Sequence, residues 1–345
     1  MKRCVVTAIL FCLLTACAAP EKDHLDRASE SDGASEASVK EDGQDPAPET
    51  ERAAGGPEGW ERIGEAAVVI TEENYPRVDG STSTLNIVRS IYTNLVGPDG
   101  AHVPDRASKT VPSYRKLIAK EADLIIVPYA SAELLAEAET AGVTLEFYPI
   151  AAEALVFITP VDNETENITR EQVRNIYLDY GIESWKELGG PDKSLIPICR
   201  NADSGSQSQM DNLVLDNQEM DGRIKDNYVE LTMEGMLEQV AFYHNGGLSG
   251  TPTDGYALGY TLYTYLEEMD SVTGIGEHLK ILAFDGVKPT METIGDGSYP
   301  LADAYYAVVR SDLPKEHAAW AVLSWLKSEA GIREIEKMGY VSCVK

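Results

Sequence analysis

The chain has 345 residues, a formal net charge of −28 and five cysteines. This acidity argues against nucleic acid as a partner, because such binding depends on neutralising phosphates with Lys and Arg. It does not argue against a small anion in a cleft, since charges more than about 8 Å away are largely screened at physiological salt.

The amino terminus has the pattern of a secretory signal. Lys2 and Arg3 precede an apolar run that is too short to span a bilayer as a permanent anchor. The following Leu14-Thr15-Ala16-Cys17 resembles the lipobox of bacterial lipoproteins, in which the cysteine is lipidated and becomes the mature terminus. We therefore expect a signal peptide at 1–16 and an anchor at Cys17 on the extracytoplasmic face of a bacterial cell membrane. The alternative is a plain signal peptide with an incidental cysteine.

Residues 17–60 are predicted to be an acidic, disordered tether. They are rich in Ala, Gly, Ser and Pro and nearly devoid of aromatic and branched apolar residues. Such a segment cannot bury enough apolar surface to offset the entropy lost on ordering. The signal contributes +2 and the tether −8 to the charge, which leaves −22 on residues 61–345. That length fits two lobes, and the two cysteines within it, Cys199 and Cys343, are expected to be free thiols.

Short apolar strands alternate with helical patterns along the globular part. Strands are predicted at 66–70, 123–127, 145–148, 154–159, 195–199, 281–284 and 305–309. Helices are predicted at 84–96, 114–120, 169–178, 209–215 and 317–328. This alternation predicts an α/β fold with largely parallel sheets, in which ligands bind at the carboxyl ends of strands.

Three predicted helix starts share a composition that suits an anion. Arg200-Asn201-Ala202-Asp203-Ser204-Gly205-Ser206-Gln207 follows an apolar strand and opens a helix. The runs 79–84 and 108–113 are also rich in hydroxyl residues and precede helices. Free amides at helix starts, short hydroxyls and a permanently charged guanidinium all suit an oxyanion. Each run taken alone is better explained as an ordinary helix cap or turn, and only the three together suggest a shared anion.

These residues, with others further along, resemble the phosphate-binding lipoproteins of ABC transporters. The matching segments are Val78-Asp79-Gly80-Ser81-Thr82, Trp185 to Gly190, Arg200 to Gln207, Gly259-Tyr260, Asp285 to Thr290, Gly297 to Leu301 and Gly339-Tyr340-Val341. They follow the order of the family over nearly all of the globular part.

The resemblance implies a two-lobed periplasmic-binding-protein-like α/β fold with a hinge and a central cleft. Lobe one would comprise 61–150 and 260–345, and lobe two 151–259. The protein would be a monomer that binds inorganic phosphate without a cofactor or metal and delivers it to the membrane permease of an ABC transporter. Carried over by motif, the phosphate-binding residues are Ser81, Thr82, Thr110, Arg200, Ser204, Gly205 and Ser206.

The chain departs from the family pattern at two positions. Many members have an aspartate that accepts the proton of the ligand, and Pro128 occupies that position here. An acid usually follows two residues after the arginine, where this chain has Ala202. An acceptor would then have to come from Asp79, Asp203, Glu153 or a backbone carbonyl, which leaves selectivity for phosphate over sulfate open.

Two other function classes compete with this interpretation. A serine hydrolase would need a nucleophile elbow, G-x-S-x-G, and a histidine base, and the chain has no such elbow. Ser113 and Lys116 form an S-x-x-K, but so do Ser324 and Lys327 within a predicted helix, so the motif carries little weight. A sensor or surface adhesion protein on the same fold is the third class.

Overall fold

The computed structural model describes residues 57–64, 68–100, 102–246 and 250–344. The predicted signal peptide, Cys17 and the tether up to residue 56 lie outside the described residues. The end of the predicted tether is a helix, α1 (Pro57–Glu61). Its Trp60 is buried, and the indole N–H donates to the carbonyl of Pro149 at 3.1 Å. The prediction of disorder is therefore wrong for 57–60, because this one large apolar residue has a site in the core.

Most of the described strands join one mixed sheet with the order β1-β2-β11-β3-β8-β5, and β9 also pairs with β3. The strands are β1 (Val78–Gly80), β2 (Leu124–Pro128), β3 (Leu145–Pro160), β4 (Asn167–Ile168), β5 (Ser194–Pro197), β6 (Cys199–Arg200), β7 (Val229–Glu230), β8 (Gly255–Leu262), β9 (Leu279–Ile281), β10 (Ala283–Phe284) and β11 (Ala302–Arg310). The pairs β1–β2 and β5–β8 are parallel, whereas β11 is antiparallel to β2 and β3, and β3 is antiparallel to β8 and β9. The expectation of largely parallel sheets is wrong, because the long strands at the centre run in opposite directions.

Helices connect most of these strands. After α1 they are α2 (Leu85–Leu95), α3 (Thr110–Ile118), α4 (Ala132–Thr140), α5 (Arg170–Arg174), α6 (Gly205–Leu213), α7 (Gly222–Asn227), α8 (Met233–Phe242), α9 (Tyr263–Thr273), α10 (Met291–Gly295), α11 (Ala318–Lys327) and α12 (Glu329–Lys337). A π-helical segment, Asn175–Asp179, continues α5. No helix among these residues is both long and apolar enough to cross a membrane.

The buried hydrophobic residues form separate cores. One core is drawn from residues 152–301. A second, with a smaller satellite, is drawn from residues 60–151 and 305–344, together with Met233 and Leu262. The chain passes between them in β3 and returns in β11, and these two strands pair where they cross, with Asp303 opposite Glu153.

The long crossing strand was predicted as two strands. It bulges at Ile150, where the register against β11 shifts between Tyr305 and Tyr306, and Pro149 precedes the bulge. A proline and a bulge interrupt the alternating pattern that identifies a strand in sequence, although pairing continues on both sides. Residues 68–70 of the predicted strand 66–70 are not in a strand.

Candidate functional site

A cavity of about 260 Å³ lies where three helix starts meet. Six of the seven residues predicted from the sequence to bind the ligand line this cavity. The seventh, Ser206, accepts a hydrogen bond from Arg200 Nη1 at 3.4 Å. The lining residues are Ser81, Thr82, Ser83, Lys109, Thr110, Arg200, Asp203, Ser204, Gly205, Leu231, Thr232, Met233, Glu234, Leu262 and Tyr265.

The first loop connects β1 to α2 through a 3₁₀ turn, Thr82–Thr84. Gly80 ends β1 against β2, and a Cβ there would lie 2.8 Å from Thr84 Oγ1 and 2.9 Å from the carbonyl oxygen of Ile126, so only glycine fits. The Ser81 amide donates to that carbonyl at 3.2 Å, and the Ser81 hydroxyl lies 3.0 Å from that of Ser83. These contacts fix a pair of buried hydroxyls at the edge of the cavity.

The second loop leads into α3 through a strained residue. Lys109 has φ 77° and ψ 168°, a backbone region that strongly favours glycine. Thr110, the first residue of α3, is 1% exposed, and its hydroxyl has no hydrogen-bond partner among the described residues. A buried polar group without a partner costs free energy. Thr110 therefore presents an unused donor at the cavity.

The third loop places a buried guanidinium beside the start of α6. The Arg200 backbone amide donates to the Tyr260 hydroxyl at 3.0 Å, and that hydroxyl donates to Gln207 Oε1 at 2.5 Å. The Arg200 side chain donates from Nε to the carbonyl of Glu230 at 3.1 Å and from Nη1 to the Ser206 hydroxyl at 3.4 Å. Tyr260 and Gln207 thus hold the backbone of Arg200, while neutral oxygens orient its guanidinium group.

No acid forms an ion pair with the Arg200 guanidinium among the described residues. The residue is 6% exposed, and its side-chain partners are carbonyl and hydroxyl oxygens; among the residues that the structure describes, none is a carboxylate. Burial lowers the pKa of the guanidinium, because leaving water disfavours its charged form, although Coulomb attraction to the nearby Glu230 carboxylate acts to raise that pKa. A cation this buried calls for an anion as its partner.

The second and third loops approach each other closely. A Cβ on Gly205 would lie 2.6 Å from Thr110 Oγ1 and 2.8 Å from Pro128 Cγ. Glycine therefore lets the start of α6 reach the start of α3 and the end of β2. The unpaired first amides of α6 and the Thr110 hydroxyl consequently face one small volume.

The three acids that the sequence suggested as acceptors of a ligand proton have different surroundings. Asp79 accepts from the amides of Gly80 and Ser108 and pairs with Lys116 Nζ at 3.0 Å. Glu153 is buried at the crossing strands, accepts from the Thr264 amide at 3.1 Å, and burial raises its pKa. Of the acids considered from the sequence, only Asp203 lines the cavity.

The sequence did not predict the rest of the lining. Leu231, Met233, Leu262 and Tyr265 come from the starts of α8 and α9 and the end of β8, where apolar residues are expected to belong to the core. Glu234 and Thr232 belong to the same segments and are exposed. Thr232 and Glu234 reach the cavity because β7 pairs with β6, which brings Glu230 beside Arg200.

The donors at this cavity suit an anion. Arg200, the hydroxyls and the amides at helix starts can all donate hydrogen bonds. Within the described ranges, no cluster of His, Cys, Asp and Glu is arranged to hold a metal ion. Burial raises the pKa of Cys199, a free and buried thiol, to about 11.

Comparison with known proteins identifies a family and several relatives. A family model described as the PBP superfamily domain matches residues 67–330, well over half of the chain. The chain is 26% identical over 192 residues to the phosphate-binding protein PstS of Borreliella burgdorferi, covering 55% of this chain and 63% of that one. It is 28% identical over 171 residues to the phosphate-binding protein PstS of Bacillus subtilis, covering 49% and 47%. The matched part is thus less than two thirds of the length of either relative.

Solved structures show the same fold. An ABC-type phosphate transport receptor from Vibrio cholerae superposes with a TM-score of 0.55 at 22% identity, covering 79% of this chain and 99% of that one. A putative phosphate ABC transporter substrate-binding protein with bound phosphate from Clostridium perfringens gives 0.56 at 19% identity, covering 78% and 99%. These likenesses confirm the predicted two-lobed α/β fold with a periplasmic-binding-protein architecture.

Proposed function

Because the chain belongs to the PBP superfamily, we propose that it is an extracytoplasmic receptor that captures inorganic phosphate and delivers it to an ABC permease. The observation that carries this proposal is the buried Arg200 guanidinium, which is hydrogen-bonded to neutral oxygens and lines the same cavity as the Thr110 hydroxyl, which has no partner among the described residues. The relatives named as phosphate-binding proteins support phosphate as the anion. The same relatives are binding proteins, which favours a receptor over an enzyme.

The proposed phosphate ligands are the residues that meet at the cavity. Arg200 supplies charge, and the hydroxyls of Ser81, Thr82, Thr110 and Ser204 supply donors. Gly205 exposes the backbone amide at the start of α6. Ser206 lies outside the cavity lining and orients Arg200, so we assign it a positioning role.

We propose that the lobes follow the hydrophobic cores. One lobe would comprise residues 61–150 with 302–344, and the other 151–301. This differs from the boundary at residue 260 predicted from the sequence, because Leu279 to Leu301 pack in the same core as Ala152 to Leu258. The hinge would lie where β3 and β11 pair, near Glu153 and Asp303. Phosphate would bridge Thr110 in one lobe and Arg200 in the other.

We also propose a lipid anchor at Cys17, preceded by a signal peptide at 1–16. Leu14-Thr15-Ala16 before this cysteine supports it. A Cys17→Ala variant should leave the membrane fraction or remain unprocessed. A processed variant that stays in the membrane fraction would contradict the anchor.

The alternative function is a receptor for another tetrahedral oxyanion such as sulfate. Pro128 in place of an acid favours it, since a carboxylate acceptor would accept the phosphate O–H and repel sulfate. Competition of sulfate against labelled phosphate between pH 5.5 and 8.5 separates the two. We expect phosphate to bind more tightly, with a margin that narrows in Asp203→Asn, whereas Asp79→Asn should leave it unchanged. Equal affinity for both anions throughout would contradict the assignment to phosphate.

A further inference from the structure

The cavity contains more than the donors that a tetrahedral oxyanion uses. Its volume of about 260 Å³ approaches the lower end of pockets that hold small organic ligands, which is about 300 Å³. Four apolar or aromatic side chains contribute to its wall: Leu231, Met233, Leu262 and Tyr265. An oxyanion alone, with five heavy atoms, leaves this part of the wall without a matching group.

These side chains adjoin the cationic part of the site. Arg200 Nη2 donates to the carbonyl of Leu231 at 3.4 Å, so the guanidinium is beside the backbone of the first apolar residue. The Leu231 side chain is 61% exposed despite being large and apolar. Burial raises the pKa of Tyr265 to about 12, so its phenol stays neutral and does not repel an anion. An oxyanion oxygen placed against Leu231 or Met233 would lose water without gaining a donor.

The acids of the cavity lining also favour a ligand whose phosphoryl group carries no O–H. Neither acid that lines the cavity is buried: Asp203 is half-buried and Glu234 is exposed. At the end of β2, buried Pro128 faces Gly205 with its ring. At pH 8 inorganic phosphate is largely a dianion with one remaining O–H to donate. The dianion of a phosphate monoester has no O–H, and an organic group takes its place.

We propose that this site accepts monosubstituted phosphates, R–O–PO₃²⁻, in which a short apolar substituent packs against Leu231, Met233 and Tyr265. This inference rests on the proposed function and widens its ligand class. The phosphoryl oxygens are held by Arg200 and the hydroxyls, as inorganic phosphate would be. The substituent extends from the remaining oxygen along the apolar wall.

The test is calorimetric titration of the full chain, freed of endogenous ligand, at pH 8 with inorganic phosphate, ethyl phosphate, phenyl phosphate and sulfate. We expect both monoesters to bind within about tenfold of phosphate. The variant Leu231→Ser should weaken binding of phenyl phosphate fivefold or more and change that of phosphate less than twofold. Val272→Ser, which alters a 78% exposed valine on α9 outside this cavity, is the matched control and should change neither.

The outcomes separate this inference from the proposed function. Phosphate binding with monoesters more than about tenfold weaker would overturn the inference and leave the proposed function standing. Monoester binding that Leu231→Ser leaves unchanged would overturn the apolar contact. No binding of phosphate or either monoester by the folded protein would overturn both.

Discussion

The side-chain amide of Asn212 donates a hydrogen bond of 2.9 Å to the backbone carbonyl of Ala130. Asn212 lies on α6, whose first residue lines the cavity, and Ala130 follows β2 in the other proposed lobe. This contact does not involve the cavity, and it joins the elements that the ligand is proposed to bridge.

Replacing Asn212 should therefore weaken phosphate binding without removing a ligand contact. A net hydrogen bond contributes roughly 0.5–1.5 kcal/mol, so we expect Asn212→Ala to bind about 2- to 10-fold more weakly by calorimetry. Asn94→Ala is the control, because within the described part of the chain that amide bonds to Ser90 in its own helix. Equal affinities in the wild type and Asn212→Ala would contradict a role in closure.

Gly205 should be intolerant of even one methyl group. Gly205→Ala places a Cβ within 3.0 Å of Thr110 and Pro128, and relieving that overlap separates the two loops. Overpacking of this kind costs about 1–3 kcal/mol, so we expect phosphate affinity to fall roughly 5- to 150-fold. Solution scattering should also report a more open form at saturating phosphate.

Gly222→Ala provides the matched control for that substitution. Gly222 also begins a helix, α7, and nothing lies within 4 Å of a Cβ placed there. It should bind phosphate like the wild type. If Gly205→Ala behaves in the same way, close approach of these loops is not needed for binding.

We expect Arg200 to lower the stability of the ligand-free protein, although it is the proposed cation that binds the ligand. Replacing buried charged groups with apolar residues of similar volume is often neutral or stabilising, because the cost of removing the charge from water is regained. We expect Arg200→Met to unfold in denaturant at the same concentration as the wild type or higher, when both are free of ligand. Arg89→Met, an exposed arginine on α2, is the control. A large loss of stability specific to Arg200→Met would mean that Arg200 is mainly structural.

Asp211 should make stability depend on pH. Burial raises its pKa from 3.8 to about 6, although Gln207 Nε2 donates to it at 2.8 Å. Between about pH 4 and 6 the folded state binds more protons than the unfolded state, so this contribution to stability falls as pH rises through that window. Asp211→Asn should remove the effect and increase the free energy of unfolding at pH 7 by on the order of 1–2 kcal/mol. Exposed Asp105→Asn should not, and identical pH profiles of Asp211→Asn and the wild type would contradict this origin.

The sequence predicted the hydroxyl-rich part of the cavity lining because its signals are local. Ser81, Thr110 and Ser204 each stand at a helix start, and Arg200 stands at the end of a strand. Short hydroxyl residues before a helical pattern are visible without any knowledge of the fold.

The apolar wall and the strand directions could not be predicted in this way. Leu231 reaches the cavity through the pairing of β6 with β7, a contact between residues about thirty positions apart. Met233 and Leu262 resemble core residues, and both are indeed buried in the second core as well as lining the cavity. The direction in which β3 and β11 cross is likewise a property of the whole chain and leaves no local pattern.

The central claim is that Arg200 binds phosphate, and titration of the ligand-free full chain with phosphate tests it most directly. Removing one partner of a buried, hydrogen-bonded charge pair costs roughly 2–5 kcal/mol, or on the order of 30- to several-thousand-fold in affinity. We therefore predict saturable binding of one phosphate per chain in the wild type and a loss of that size in folded Arg200→Met. Unchanged phosphate affinity in Arg200→Met would contradict the account.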